Sequence, residues 1–140
     1  MATEVHGRLE REIEEVMTDL KNGRNLDLGK LKDGVEAMVD SILRNPAAFT
    51  WIKEMKRRDD YSYHHALGSA VWAASFGRHL GLEKEEVNKL ALGGLLCDVG
   101  MIRVPSELVG RQGPLSDEEV ATMREHVAHG LEILAGTPGI

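Results

Sequence analysis

The sequence predicts an all-α fold, an arrangement of about six helices in a bundle. Apolar residues recur every three or four positions, which is the spacing of one face of a helix. The alternation of Val, Ile and Thr that is typical of strands is missing, and aromatic residues make up only 4% of the chain. A length of 140 residues favours a single folded unit with a modest core.

The first helix is predicted from about Thr3 to Asn22, with Gly23 as its C-cap. Its apolar residues form one stripe, whereas charged residues fill the other faces. The stripe contains Val5, Leu9, Ile13, Val16, Met17 and Leu20. Such a stripe either docks on its own chain or pairs with a second copy in a homodimer, and the sequence leaves both possibilities open.

Four further helices follow from caps and breaks. Asp27 is expected to cap a second helix that ends near residue 44. A proline in the first turn favours a third helix over about 46–58. The spacing of apolar residues after it predicts a fourth helix over about 61–80. The fifth is predicted over about 83–99 and, because its segment LALGGLLC is apolar on all sides, should be the most buried.

The fifth helix contains two adjacent glycines, and the last helix has a clear start signal. Gly93 and Gly94 each disfavour a helix, so we expect them to allow close approach of a neighbouring helix. After a long connection, Ser116 and Glu119 form a capping box that opens a sixth helix to about Leu134.

Charge and composition exclude several classes of protein. The net charge of -6 argues against a nucleic-acid partner, which would need a basic face. The single cysteine, Cys97, cannot form an internal disulfide, so a cytoplasmic location is expected. The charged N-terminal stretch is not a signal peptide, and no apolar run approaches the roughly 20 residues that span a bilayer.

Three successive predicted helices each carry one residue that could bind a metal: His65, Asp98 and His126. They are too far apart in sequence for a local motif, but metal sites in bundles are built from facing helices. A histidine on a helix is more often structural, so the metal site is a hypothesis at this point. His64 either flanks such a site or faces solvent, and His129 either reaches the same cavity or lies on the surface.

Two blocks of the sequence resemble HD-GYP domains, bacterial relatives of the HD phosphohydrolase superfamily. YSYHHALGSAVWA resembles the opening helix of that family, and LLCDVGMIRVPSELVGRQGPLSDEEVATMREHVAHGLEIL resembles its second block. The match covers about residues 60–135. The spaced positions that agree in the second block are Gly100, Pro105, Gly113, Leu115, His126 and Gly130.

The resemblance implies a helical bundle that holds two or three metal ions, usually iron or manganese, and hydrolyses cyclic di-GMP. By position, His65, Asp98 and His126 match family metal ligands, and Asp98 would be the bridging carboxylate. Residues 1–58 would then be a helical lead-in, with 3–22 as a possible dimerisation helix. Residues 59–140 would form a partial HD-GYP-like domain.

The sequence departs from the family pattern at two positions within the match. Cys97 stands where the family has the His of its His-Asp pair, and Met101 stands where it has a lysine expected to contact phosphate. A thiolate suits zinc or copper better than an oxygen-rich iron or manganese site. Methionine cannot supply a positive charge. The later His-His ligands, the final Asp ligand and the Gly-Tyr-Pro signature would lie beyond Ile140.

These departures favour a catalytically degenerate domain with a binding, dimerisation or regulatory role in cyclic di-GMP signalling. Its partner would be a signalling protein or cyclic di-GMP. No cofactor is expected for this chain, and iron or manganese only if the site is completed. One alternative is a fragment of a longer metal-dependent phosphodiesterase, and another is a structural interaction module. Trp51 and Trp72 are expected to be packing aromatics. The expected core fillers are Met17, Met38, Met55 and Met123.

Overall fold

The structure, a computed structural model, describes residues 2–44 and 61–140. Its helices, in chain order, are α1 (Ala2–Lys21), α2 (Leu28–Arg44), α3 (Tyr61–His79), α4 (Lys84–Leu96), a 3₁₀ segment (Val99–Arg103), α5 (Ser106–Val109), α6 (Asp117–Arg124) and α7 (His126–Ala135). No strand occurs in these two ranges, which confirms the all-α prediction. The helix predicted over 46–58, with Trp51 and Met55, lies outside them.

Helix α1 docks on its own chain through the predicted stripe. Leu9, Ile13 and Val16 are each no more than 2% exposed, and α1 packs along α2. The first of the two possibilities for this stripe is therefore confirmed. Gly23 ends the helix in a left-handed conformation, with φ of 74°, as expected of a C-cap glycine.

Helix α2 lies at the centre of the bundle and packs against α1, α3 and α4. Its start is fixed by Asp27, whose carboxylate accepts a hydrogen bond of 3.2 Å from the backbone N–H of Lys30, so the predicted N-cap is confirmed. Its buried residues are Leu28, Leu31, Gly34, Val35, Met38, Val39 and Ile42.

Helices α3 and α4 pack closely because Gly94 has no side chain. A Cβ atom at Gly94 would lie 2.8 Å from the backbone oxygen of Ser69 on α3. The prediction of close approach is correct for Gly94 and wrong for Gly93, where a Cβ atom would meet nothing within 4 Å. One glycine is therefore required by packing within the bundle, and its neighbour is not.

Helix α4 is less buried than its apolar sequence predicted, and the prediction that it is the most buried helix is wrong. Leu90 is 40% exposed, and Gly93 also faces solvent. The reason is that, among the residues described, α4 contacts its neighbours along one face. That face consists of Val87, Ala91, Leu95 and Leu96. The helix also ends at Leu96, earlier than predicted.

The outer face of α3 carries bulky apolar side chains. Trp72 and Phe76 are 55% and 59% exposed, and Leu80 just beyond the helix is 55% exposed, so Trp72, expected to be a packing aromatic, is not part of the buried core. Small residues at helical spacing, such as Ala70 and Ala74, occupy the inner face instead. They allow α4 to come close, and the large residues therefore lie outside.

Two further boundaries differ from the prediction. The long connection contains the 3₁₀ segment and α5, and the sixth predicted helix is divided into α6 and α7. The division falls at Glu125, whose backbone N–H bonds to the carbonyl of Thr122 three residues earlier. The start of α6 is as predicted, because Ser116 and Glu119 form a reciprocal capping box.

Among the remaining methionines, Met38 is fully buried and Met17 packs against the core, as expected of core fillers, and Met123 is partly buried. No helix in the described part of the chain has both the length and the apolar composition needed to cross a membrane.

Candidate functional site

The carboxylate of Asp98 lies between two imidazole rings. Its Oδ2 atom is 2.9 Å from Nε2 of His65, and its Oδ1 atom is 3.5 Å from Nε2 of His126. The fold therefore brings together the three residues that were predicted as candidates from separate helices. We call these three residues the His-Asp site. The site is accessible, because the side chains of His65 and Asp98 are 45% and 36% exposed.

The shorter contact fixes the role of His65. A carboxylate only accepts hydrogen bonds, so at 2.9 Å the Nε2 atom of His65 carries a proton and donates it to Asp98. In this arrangement the nitrogen that faces the carboxylate is already used. It would have to lose that proton before it could bind a metal ion.

Asp98 lies where α4 gives way to the 3₁₀ segment rather than within the helix. Its backbone has left the helical conformation, with φ of -114° and ψ of 21°. Its carbonyl accepts a hydrogen bond of 2.9 Å from the N–H of Met101, which begins the 3₁₀ segment. The carboxylate is thus placed at a helix end, where it can reach both α3 and α7.

The separation of His65 and Asp98 follows from the contact between Gly94 and Ser69. Ser69 is one turn after His65 on α3, and Gly94 is one turn before Asp98 on α4. The missing Cβ at Gly94 allows the two backbones to meet at this level. One turn further along, the imidazole therefore comes within hydrogen-bond distance of the carboxylate.

The position of His126 depends on a second glycine. A Cβ atom at Gly100 would lie 1.9 Å from the backbone oxygen of His126 and 2.4 Å from the backbone nitrogen of Gly130. Only a glycine allows the 3₁₀ segment to lie against the first turn of α7. Gly100, which supports the family resemblance, thus has a physical reason in this chain.

The ring of His126 is oriented by its other nitrogen. The Nδ1 atom donates a hydrogen bond of 2.7 Å to the carbonyl oxygen of Met123, which can only accept. Nε2 is then the nitrogen that faces Asp98. In a neutral ring this atom has a lone pair, and a lone pair does not attract a carboxylate. A proton or a cation between the two atoms makes the contact favourable, and a ring held this way is typical of metal-binding histidines.

Cys97 is next to Asp98 and matches an iron or manganese site less well than a histidine would. Its Sγ atom donates to the carbonyl oxygen of Gly94 at 3.2 Å. Although the residue is exposed, partial desolvation of the sulfur raises the pKa of the Cys97 thiol, and the negative charge of Asp98 raises it further. The thiol therefore stays protonated at neutral pH, whereas the thiolate is the form that binds metals.

Met101 leaves the site without the expected positive charge. It is half-buried in the 3₁₀ segment. The nearest cation along the chain, Arg103, does not replace a lysine there, because its guanidinium pairs with Glu132 at 2.5 Å.

The donor atoms do not complete a metal site. Imidazole and carboxylate suit iron or manganese. However, in residues 2–44 and 61–140 no group of three His, Cys, Asp or Glu side chains is placed to hold an ion. Asp98 instead lies beside one nitrogen of each histidine, at 2.9 Å and 3.5 Å. We therefore derive no chemical step through a metal.

The other histidines lie around the site or away from it. His64 packs edge-on against the ring of Tyr63, with centroids 5.6 Å apart. His129 is half-buried on α7, and its Nδ1 atom has no hydrogen-bond partner in the described part of the chain. His79 is exposed. The side chain of His6 is not among those described.

Sequence reasoning identified the residues of the site but not the contacts that position them. The signal was available, because a glycine at the end of an apolar helix and another two residues after Asp98 are unusual choices for rigid elements. The sequence alone does not show which segment of backbone packs against each of these glycines.

Comparison with known proteins supports the same assignment. The sequence model of the HD domain matches residues 42–139. This chain belongs to the HD domain family. The cyclic di-GMP phosphodiesterase PA4108 of Pseudomonas aeruginosa is 30% identical over 116 residues, which is 83% of this chain and 28% of that protein. The HD-GYP resemblance of the sequence is thereby confirmed.

Two other relatives match this HD domain over different lengths. The cyclic di-GMP phosphodiesterase response regulator RpfG of Xanthomonas campestris is 32% identical over 65 residues, 46% of this chain and 17% of that protein. The 3'3'-cGAMP-specific phosphodiesterase 2 of Vibrio cholerae is 25% identical over 128 residues, 89% of this chain and 24% of that protein. The chain thus spans less than a third of each of these relatives. No solved structure gave a significant match.

Proposed function

We propose that this HD domain has a binding or regulatory role in cyclic di-GMP signalling and does not hydrolyse the nucleotide itself. The observation that carries the proposal is the residue before Asp98. Cys97 replaces the expected histidine, and sulfur suits zinc or copper better than the iron or manganese of this family. The homology to cyclic di-GMP phosphodiesterases supplies the ligand class.

The chemistry of phosphodiester cleavage supports the loss of hydrolysis. A metal pair normally activates the water and neutralises charge on the phosphate. Here Met101 is uncharged, and Arg103 is held by Glu132. No described cation is therefore free at the 3₁₀ segment to replace the expected lysine. The remaining surface can still bind a nucleotide or a protein.

The direct test measures turnover and binding in the same preparation. Cyclic di-GMP and 3'3'-cGAMP are incubated with this chain and Mn²⁺ or Fe²⁺, and the products are separated by chromatography. Binding of each nucleotide is measured by calorimetry. We expect binding of cyclic di-GMP without turnover. Turnover that His65→Ala or Asp98→Ala abolishes would overturn the proposal, as would a complete absence of nucleotide binding.

A matched pair of variants tests the reason for the loss. Cys97→His with Met101→Lys should increase the metal content measured by mass spectrometry after incubation with Mn²⁺. Cys97→Ser with Met101→Lys has the same charge but no added imidazole, so it should remain as low in metal as the unchanged protein. Equal metal content in all three proteins would show that Cys97 does not determine occupancy.

One observation favours a second function, that of a metal-dependent phosphodiesterase. The Nδ1–H of His126 is fixed by Met123, which leaves Nε2 directed at Asp98 as in a metal ligand. If this function is correct, Mn²⁺ should raise the melting temperature of the unchanged protein and not that of His126→Gln. An identical response of both proteins would remove the support for this alternative.

A further inference from the structure

A groove runs between α4 and α7, with a cavity volume of about 540 Å³. Gly93 and Cys97 line its α4 side, Val127 and Leu131 line its α7 side, and Lys32 lies at the end formed by α2. We call it the α4–α7 groove. It plays no part in the pairing of His65, Asp98 and His126.

The α7 side of this groove is apolar and exposed. Val127 and Leu131 are one turn apart, and they are 58% and 65% exposed. A single exposed aliphatic residue is ordinary, but adjacent ones that border a groove are typical of an interaction surface. No other part of the described chain covers these two side chains.

The α4 side of the groove has an unexplained glycine. Glycine within a helix is less favourable than alanine, and Gly94 is explained by its contact with Ser69. Gly93 has no such reason, because a Cβ atom there would meet nothing within 4 Å. Together with Cys97 one turn later, it leaves a shallow surface on which the backbone of another helix can lie closely.

The α2 end of the groove carries a positive charge in a chain whose net charge is -6. Other lysines on α2 and α4 pair with carboxylates, as Lys30 does with Glu15 and Lys84 does with Glu36. The ammonium group of Lys32 instead donates to the carbonyl oxygen of Gly139 at 3.0 Å, and none of the described carboxylates pairs with it. A partner with a carboxylate at this position would be complementary in charge.

We propose that the α4–α7 groove binds an amphipathic helix of a partner protein. Its apolar side chains contact Val127 and Leu131, its backbone lies over Gly93, and an acidic residue pairs with Lys32. An open groove between two helices with apolar walls is a common way to recognise such a helix. This inference goes beyond the proposed function and does not depend on whether the His-Asp site binds a metal.

The test uses two synthetic peptides of roughly 16 residues as probes. Each carries a fluorescein label and leucines at helical spacing, and the other faces carry glutamate in one peptide and lysine in the second. Binding to the full chain is followed by fluorescence anisotropy. We expect the glutamate peptide to bind at least about tenfold more tightly than the lysine peptide at low salt.

Variants of the protein locate the binding surface. Gly93→Met places a side chain in the open groove and should weaken binding of the glutamate peptide about tenfold. Leu131→Ser changes a residue that is mostly exposed, so it should weaken binding without affecting folding. Lys32→Gln should reduce the preference for glutamate over lysine. Phe76→Ser, on the outer face of α3, is the matched control and should leave binding unchanged.

Three results would overturn the proposal. The first is a failure of the glutamate peptide to bind, and the second is equal binding to the unchanged protein and to Leu131→Ser. The third is a doubling of mass in light scattering that Gly93→Met abolishes, because the groove would then bind a second copy of this chain. None of these results bears on nucleotide hydrolysis, so the two proposals fail independently.

Discussion

The α1–α2 pair and the region formed by α3, α4, the 3₁₀ segment and α7 are held together in different ways. In the first, large side chains such as Leu9, Ile13 and Met38 fill the space between the helices. In the second, backbone meets backbone at Gly94 and Gly100. Side-chain packing is visible in the sequence as apolar residues at helical spacing, whereas a backbone contact is visible only as a glycine. The candidate site is built on the second kind of contact.

The largest expected effect comes from Gly100→Ala. The added Cβ atom would lie 1.9 Å from the backbone oxygen of His126, so the 3₁₀ segment and α7 must separate. We expect a loss of about 3 kcal/mol or more in the free energy of unfolding, measured by urea denaturation. Gly110→Ala is the control, because its Cβ meets only the oxygen of Ser106 at 3.6 Å. Similar stability of the two variants would contradict this account.

In the other region, Ile13→Ala should cost about 3 kcal/mol, because Ile13 is 1% exposed and its removal leaves a cavity. Ile13→Val should cost about 1 kcal/mol, since most of the volume is kept. Unlike Gly100→Ala, neither variant should change the NMR resonances of the His65 and His126 rings in the folded protein, because α1 does not carry a site residue. A shift of those resonances in Ile13→Val would show that the two regions are coupled.

Gly94→Ala should have a smaller effect than Gly100→Ala. Its Cβ atom would lie 2.8 Å from the backbone oxygen of Ser69, so α3 and α4 need to move apart only slightly. We expect a loss of about 2 kcal/mol in the free energy of unfolding. Because this contact sets the distance between His65 and Asp98, the resonances of His65 should shift while those of His79 remain. Unchanged resonances of His65 would show that the contact between α3 and α4 does not set the geometry of the site.

The contrast also explains how much of the fold could be predicted. The bounds of α1 and α2 and the caps at Asp27 and Ser116 follow from local patterns, and the structure reproduces them. The burial of α4 could not be predicted from its apolar composition, because burial depends on which faces meet a neighbour. The exposure of Trp72 has the same cause, since the small residues of α3 occupy its inner face.

The candidate site was predictable only in part. Spacing alone offered His65, Asp98 and His126 as one candidate per helix, and the resemblance to HD-GYP domains joined them. Their pairing through one carboxylate depends on backbone contacts between distant segments. The break before His126 coincides with a hydrogen bond from the N–H of Glu125 to the carbonyl of Thr122, which no residue pattern in the sequence indicates.

The smallest expected effect comes from Gly93→Ala, and it has the opposite sign to that of Gly94→Ala. The new Cβ atom meets nothing within 4 Å, so only the gain in helix propensity remains, and the free energy of unfolding should rise by about 0.5–1 kcal/mol. Urea denaturation of the two variants side by side measures the difference. A loss of stability in Gly93→Ala would mean that the bundle itself requires this glycine. A gain, together with weaker binding of the glutamate peptide, would mean that the requirement for glycine at this position comes from the α4–α7 groove rather than from the fold.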